Sequence, residues 1–156
     1  MRASVTSAGV TLGLGFGGFL DGILLHQILG WHHLVCATAT CQPLSIEHLQ
    51  KQNTQDGFFH LAVWLLSLAG VALLFRAAKY TAENWGGKVL AGSMLIGWGA
   101  FNLVEGLVDH HLLGIHHVLP GHRFQLLADI LFLTSGVIFA LTGCALRKSG
   151  KRQAPC

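Results

Sequence analysis

Four apolar runs, at about residues 8–31, 57–77, 88–112 and 124–146, constrain this chain more than any other feature. Each reaches the ~20 residues a helix needs to cross a bilayer. Hydrocarbon offers no water to the backbone, so such a run must satisfy its own hydrogen bonds as a helix or within a closed barrel. Barrel strands would show period-two alternation, which is absent, so the runs predict helices. Charged residues are only 11% of the chain, against about 25% in ordinary soluble domains. The expectation is an all-α integral membrane four-helix bundle. It forms a single membrane domain over 1–156, with an outer loop at 34–56 and a basic tail at 147–156. The first run follows Arg2, as a signal peptide would. It is too long for one and carries Asp21 and His26, so it is expected to be retained.

Charge predicts orientation. Arg2, Arg76, Lys79, Lys88, Arg147, Lys148, Lys151 and Arg152 flank the N-terminus, the second loop and the C-terminus, whereas only Lys51 and Arg123 flank the other loops. Basic residues favour the cytoplasmic side, which puts both termini there. All ten histidines then fall at the outer helix ends or in the outer loops. The net charge of +3 is thus an orientation signal. No basic face interleaves with stacking aromatics, so nucleic acid is not an expected partner. The bilayer is, and homo-oligomerisation is compatible with the chain.

One stretch occurs twice. Residues 21–33, DGILLHQILGWHH, recur at 105–117 as EGLVDHHLLGIHH, offset by 84 without a gap. Both read acid, Gly, a His five residues after the acid, Gly, then His-His. Ionisable groups are costly in hydrocarbon and mark function there. Helices one and three run in the same direction, so the repeat predicts two parallel hairpins related by an axis along the membrane normal. In an α-helix His26 would lie about 140° around from Asp21 and ~7.5 Å along. Gly30 reads as the residue just past the helix end, with Trp31 in the headgroup belt and His32 and His33 folded over the mouth. Gly9, Gly13 and Gly17 form a ladder that lets helix backbones approach closely. Asn102 reads as a cross-helix hydrogen bonder.

Other residues carry smaller signals. Cys36 and Cys41 predict a disulfide, favoured outside the membrane. The alternative is a metal-binding pair, although their spacing is no zinc signature. Asp56 and His60 share a helix face. They read either as an N-cap with an interfacial His or as a metal ligand with its supporting carboxylate. Asp129, two turns into helix four, requires a cation, a metal or a proton. Cys144 reads as a small apolar residue and Cys156 as a reduced cytoplasmic thiol.

Together these residues predict a transition-metal site in the outer half of the bundle. The first candidates are His26, His110, His60, Glu105 and Asp21. His33, His117, His32, His116, His111, Asp109 and Asp129 follow. Imidazole suits zinc, copper and iron. Di-iron carboxylate bundles use Glu-x-x-His, which is absent. A metal carrier needs accessible ligands, which the His-His pairs supply. A metalloenzyme needs an open coordination position and an acid or base, for which Glu105 and Asp109 are candidates. A structural belt of His–acid hydrogen bonds, or haem binding near the outer surface, is the further alternative. The dry inner helix halves argue against transport.

The runs at 19–33, 56–60 and 102–117 resemble a bacterial predicted-membrane-protein family labelled domain of unknown function 2243. The resemblance covers nearly the whole chain. It implies a four-helix protein of the bacterial inner membrane, with cytochrome oxidase assembly components as partners and a copper or haem context. It implies no established activity.

Overall fold

The computed structural model describes residues 4–36, 39–80 and 86–152; Arg2 and Cys156 lie outside them. Four helices are long and apolar enough to cross a membrane. Helix α1 (Val5–Leu20) continues as a π-helical segment, Asp21–Ile28. Helix α2 spans Ile46–Tyr80. Helix α3 (Gly87–Glu105) again continues as a π-helical segment, Gly106–Leu112, and α4 spans Gln125–Arg152. The chain is a multi-pass membrane protein. Large apolar side chains such as Phe58, Leu65, Phe75, Leu131 and Leu141 are exposed around it, as a lipid-facing surface requires.

The helices form a row. Helices α1 and α3 are the central pair, and among the described residues the backbone of α2 lies against α1 and that of α4 against α3. Glycine makes the central contact possible. A Cβ on Gly13 would run into the Met94 carbonyl, and one on Gly97 into that of Val10. Contacts recur at two sequence offsets, 84 between α1 and α3 and 73 between α2 and α4. Gly15 faces Val63 and Ser67, while Gly99 faces Gly136 and Ala140. Gly70 faces Leu12, while Gly143 faces Ile96.

Three boundaries differ from expectation. Helix α2 begins eleven residues before 57, so the outer loop is shorter than 34–56. Residues 46–56 are too polar for a hydropathy signal, yet they wind as a helix. Ser45 accepts from the His48 amide at its start, and Gln52 and Asp56 form one buried stripe. Asp56 is therefore inside a helix and not at its N-cap. At the other end, 147–152 is helix and not tail. Gly150 packs on Lys88 and Val89 there, and basic residues suit a helix C-terminus. Lastly, the first and third runs do not stay α-helical to their ends.

Gly30 (φ +57°) and Gly114 (φ +58°) terminate the two π-helical segments in the left-handed conformation. Cys36 and Cys41 are joined in a disulfide, and Gln52 Nε2 donates to the Cys41 carbonyl at 3.1 Å, which ties the loop to α2. Cys144 is free and exposed.

Replacing Gly13 or Gly97 with alanine should force α1 and α3 apart and lower stability by about 1–3 kcal/mol. Gly57, whose Cβ would meet open space, should tolerate alanine without loss. Thermal unfolding in detergent checks both; equal behaviour of the three variants would contradict this packing.

Candidate metal centre

The π-helical winding sets the site. Its i→i+5 bonds, such as Leu29 N to Leu24 O at 2.8 Å and Leu113 N to Val108 O at 2.7 Å, widen each turn by about one residue. Residues five apart therefore nearly eclipse, where an α-helix would separate them by about 140°. His26 Nε2 consequently lies 3.0 Å from Asp21 Oδ2. Glu105 and His110 share the same five-residue spacing. After Gly30 and Gly114 the chain turns back, so His32 and His116 drop over the helix mouths. His32 Nε2 is 4.0 Å from Asp21 Oδ2, and His116 Nε2 is 3.7 Å from Glu105 Oε1.

Two sets result, each of one carboxylate and two imidazoles: Asp21, His26, His32 and Glu105, His110, His116. Glu105 also comes within 4.8 Å of every donor atom of the first set. The sets meet where the His32 and His116 rings stack, 4.7 Å between centroids and 9° from parallel. All six side chains are buried.

Three of the four rings are anchored by a hydrogen bond from their other nitrogen. His32 Nδ1 donates to the Val118 carbonyl and His116 Nδ1 to the Leu34 carbonyl, both at 3.1 Å. The two loops thus exchange bonds. His26 Nδ1 donates to Asp56 Oδ1 at 3.1 Å, and His110 Nδ1 lies 3.4 Å from Asp129 Oδ1. A neutral ring that donates through Nδ1 leaves a bare lone pair on Nε2. Burial, reinforced by His116 and His26 and opposed by Asp21, pushes His32 down to about 3. Burial is also the largest cause holding His116 below the usual histidine range. Both rings are therefore neutral.

The four Nε2 atoms, both oxygens of Asp21 and Oε2 of Glu105 are buried without a hydrogen-bond partner. With the rings in their Nδ1–H tautomers every one is an acceptor, and His26 Nε2 and Asp21 Oδ2 then face each other at 3.0 Å. An unsatisfied buried polar group costs about 1–3 kcal/mol, and converging acceptors call for a positive centre. Two ligands held ~2.1 Å from one ion stand about 3.0–3.4 Å apart, close to the His26–Asp21 separation. These groups could hold a metal ion.

Around this inner set lies an outer belt. His33 Nδ1 donates to Asp56 Oδ2 at 2.6 Å, and the Leu34 amide to Asp56 Oδ1 at 2.9 Å. Gln27 adds a bond to Asp56 at 3.2 Å. His117 Nδ1 and the Val118 amide treat Asp129 the same way, at 2.7 and 3.0 Å. Asp129 thus has partners without a bound cation. Asp56 supports His26 and His33, where the sequence paired it with His60. His60 itself packs against Gly22, outside both sets. Asp109 and His111 also lie outside them, and His111 is exposed. Asn102 bonds Ser135 across helices at 2.9 Å. The role of Asp56 left one trace in sequence: Asp56-Gly-Phe-Phe59 and Asp129-Ile-Leu-Phe132 share Asp-x-x-Phe. Phe59 and Phe132 flank His26 and His110, at 5.5 and 5.3 Å between ring centroids.

In Asp56→Ala the His33 ring and the Leu34 amide lose their acceptor. Breaking such a buried cluster should cost about 3–5 kcal/mol, with faster amide hydrogen exchange at Leu34. Unchanged protection of that amide would contradict the belt.

No curated protein and no solved structure matches the chain. A family model described as a predicted membrane protein, DUF2243, matches residues 8–150, a span that reaches into all four helices and contains both acid–histidine sets. The chain therefore belongs to the DUF2243 family of predicted membrane proteins.

Proposed function

We propose that this protein is a membrane metalloprotein with a resident pair of transition-metal ions, one held by Asp21, His26 and His32 and the other by Glu105, His110 and His116. The observation that carries this reading is the convergence of seven buried atoms without a hydrogen-bond partner, His26 Nε2 and Asp21 Oδ2 at 3.0 Å among them, while the opposite nitrogens of three of the rings are bonded to fixed carbonyls and a carboxylate. Outward anchoring of this kind orients histidine ligands and raises their basicity.

Burial favours a resident centre over a carrier. A carrier exchanges its cargo and needs ligands a partner can reach, whereas all six groups here are enclosed. A metalloenzyme is the better match. Two imidazoles and one carboxylate leave open positions on an ion, the set that suits non-haem iron among the zinc, copper and iron candidates. Sulfur plays no part, since Cys36 and Cys41 are paired with each other. When bound, such ions supply Lewis-acid or redox chemistry. The residues of this chain keep His32 and His116 neutral, orient the rings and exclude bulk water.

The paired contacts at offsets of 84 and 73 support a duplicated hairpin with a pseudo-twofold axis through the stacked His32 and His116. The excess of basic residues at the opposite end supports a bacterial inner-membrane orientation with the metal centre towards the periplasm.

Elemental analysis of the purified protein should find two transition-metal ions per chain, and the His26→Ala/His110→Ala double variant should lose them. Asp56→Asn should keep the site but weaken affinity about 10–100-fold. Equal, negligible metal in wild type and double variant would refute the proposal.

A further inference from the structure

The row of helices leaves a gap between α1 and α4, whose backbones stay apart along the described residues. Side chains only partly fill it. One compartment, about 360 Å³, lies between Leu25, Trp31, Phe124 and Leu131. A second, about 220 Å³, runs deeper between Leu20, Leu24, Trp98 and Phe139 and ends at Asp21. Leu25 and Phe132 line both. The larger falls in the ~300–1,000 Å³ range of small-molecule sites. Their walls are almost wholly apolar; the deeper one is lined entirely by residues of the membrane-crossing spans, and the larger sits at the outer ends of those spans, where Trp31, Leu119 and Phe124 close it.

The matching gap between α3 and α2 is treated differently. Phe101, 84 positions after Gly17, packs its ring towards Gly18 and Phe59, with its centroid 6.2 Å from that of Phe59. Polar groups are also one-sided. Asn102 and Ser135 line the α1–α4 groove, and their counterparts at offsets of 84 and 73 are Gly18 and Ala62. The sequence has therefore kept this gap open and placed Asn102 and Ser135 along it. Asp21 also lines the groove; its Oδ1 lacks a hydrogen-bond partner, while Oδ2 faces His26 Nε2 at 3.0 Å.

We propose that the α1–α4 groove binds a neutral, hydroxyl-bearing lipid that enters sideways from the bilayer and brings its head to Asp21 and the proposed metal centre. The apolar walls take the chain. The lining contains no Lys, Arg or His, so an anionic head would face the Asp21 carboxylate without a counter-charge. A hydroxyl instead donates to the acceptors and accepts from Asn102. This deepens the proposed function and rests on it for the reactive end of the groove.

The test uses full-length protein in proteoliposomes and three photoreactive diazirine probes of equal chain length: an alcohol, a fatty acid and an alkane. The alcohol should label peptides around Leu25, Phe132 and Phe139 at least tenfold above the other two, and a decyl-chain hydroquinone should compete with it. Gly17→Phe copies the filled gap, and Leu24→Trp obstructs the groove from a partly exposed position. Each should lower labelling at least tenfold with metal content retained. If Gly17→Phe fails to fold, Leu24→Trp decides. Labelling that persists in Leu24→Trp, or that is equal with the alkane, overturns the groove. Head-dependent labelling in a protein free of metal would keep the groove and refute the metal centre. Full metal content with head-independent labelling would do the reverse.

Discussion

Everything in this fold follows from the cost of placing carboxylates and imidazoles at the edge of hydrocarbon. Such groups are tolerated only when each polar atom finds a partner. The protein meets that demand in two layers. In the outer one, Asp56 and Asp129 each collect a histidine from the His-His pair and the amide that follows it. In the inner one, three of the four rings are fixed through Nδ1, and the remaining nitrogens crowd against two carboxylates without enough donors for all of them. The outer layer is the belt of hydrogen bonds that a purely structural role would predict. The inner layer is what that role leaves unexplained.

Backbone geometry links the layers. Had α1 and α3 remained α-helical, Asp21 and His26 would diverge around the helix, as would Glu105 and His110. The π-helical segments bring each pair onto one side, and the left-handed glycines after them return His32 and His116 over the same spot. Close packing at Gly13 and Gly97 then sets the two clusters against each other. Local winding, helix contact and loop return are separate devices that converge on one point.

Much of this was legible beforehand. Apolar runs located the helices, the 84-residue echo singled out the acids and histidines, and Gly30 marked its turn. What stayed hidden has physical causes. Winding i→i+5 has no propensity signature, so the five-residue acid–His spacing read as a divergence. The start of α2 is polar and its helical period is masked by the loop before it, so Asp56 looked like a cap. The 73-residue correspondence of α2 and α4 rests on Asp-x-x-Phe and small residues, too little to recognise without contacts. His60 ranked high because it follows Asp56 by one turn, yet its ring packs on Gly22 while that of His26 takes the carboxylate.

Departures from the echo are as informative as the echo itself. Gly17 against Phe101, and Asn102 with Ser135 against Gly18 with Ala62, make one flank of an otherwise paired arrangement open and polar. The central claim is that imidazoles and carboxylates of the inner layer ligate metal, and X-ray absorption at the bound metal's edge tests it most directly. The account predicts a first shell of nitrogen and oxygen at about 2.0–2.2 Å with the outer-shell scattering of two imidazoles per ion. A sulfur shell near 2.3 Å, or a shell without imidazole scattering, would contradict it.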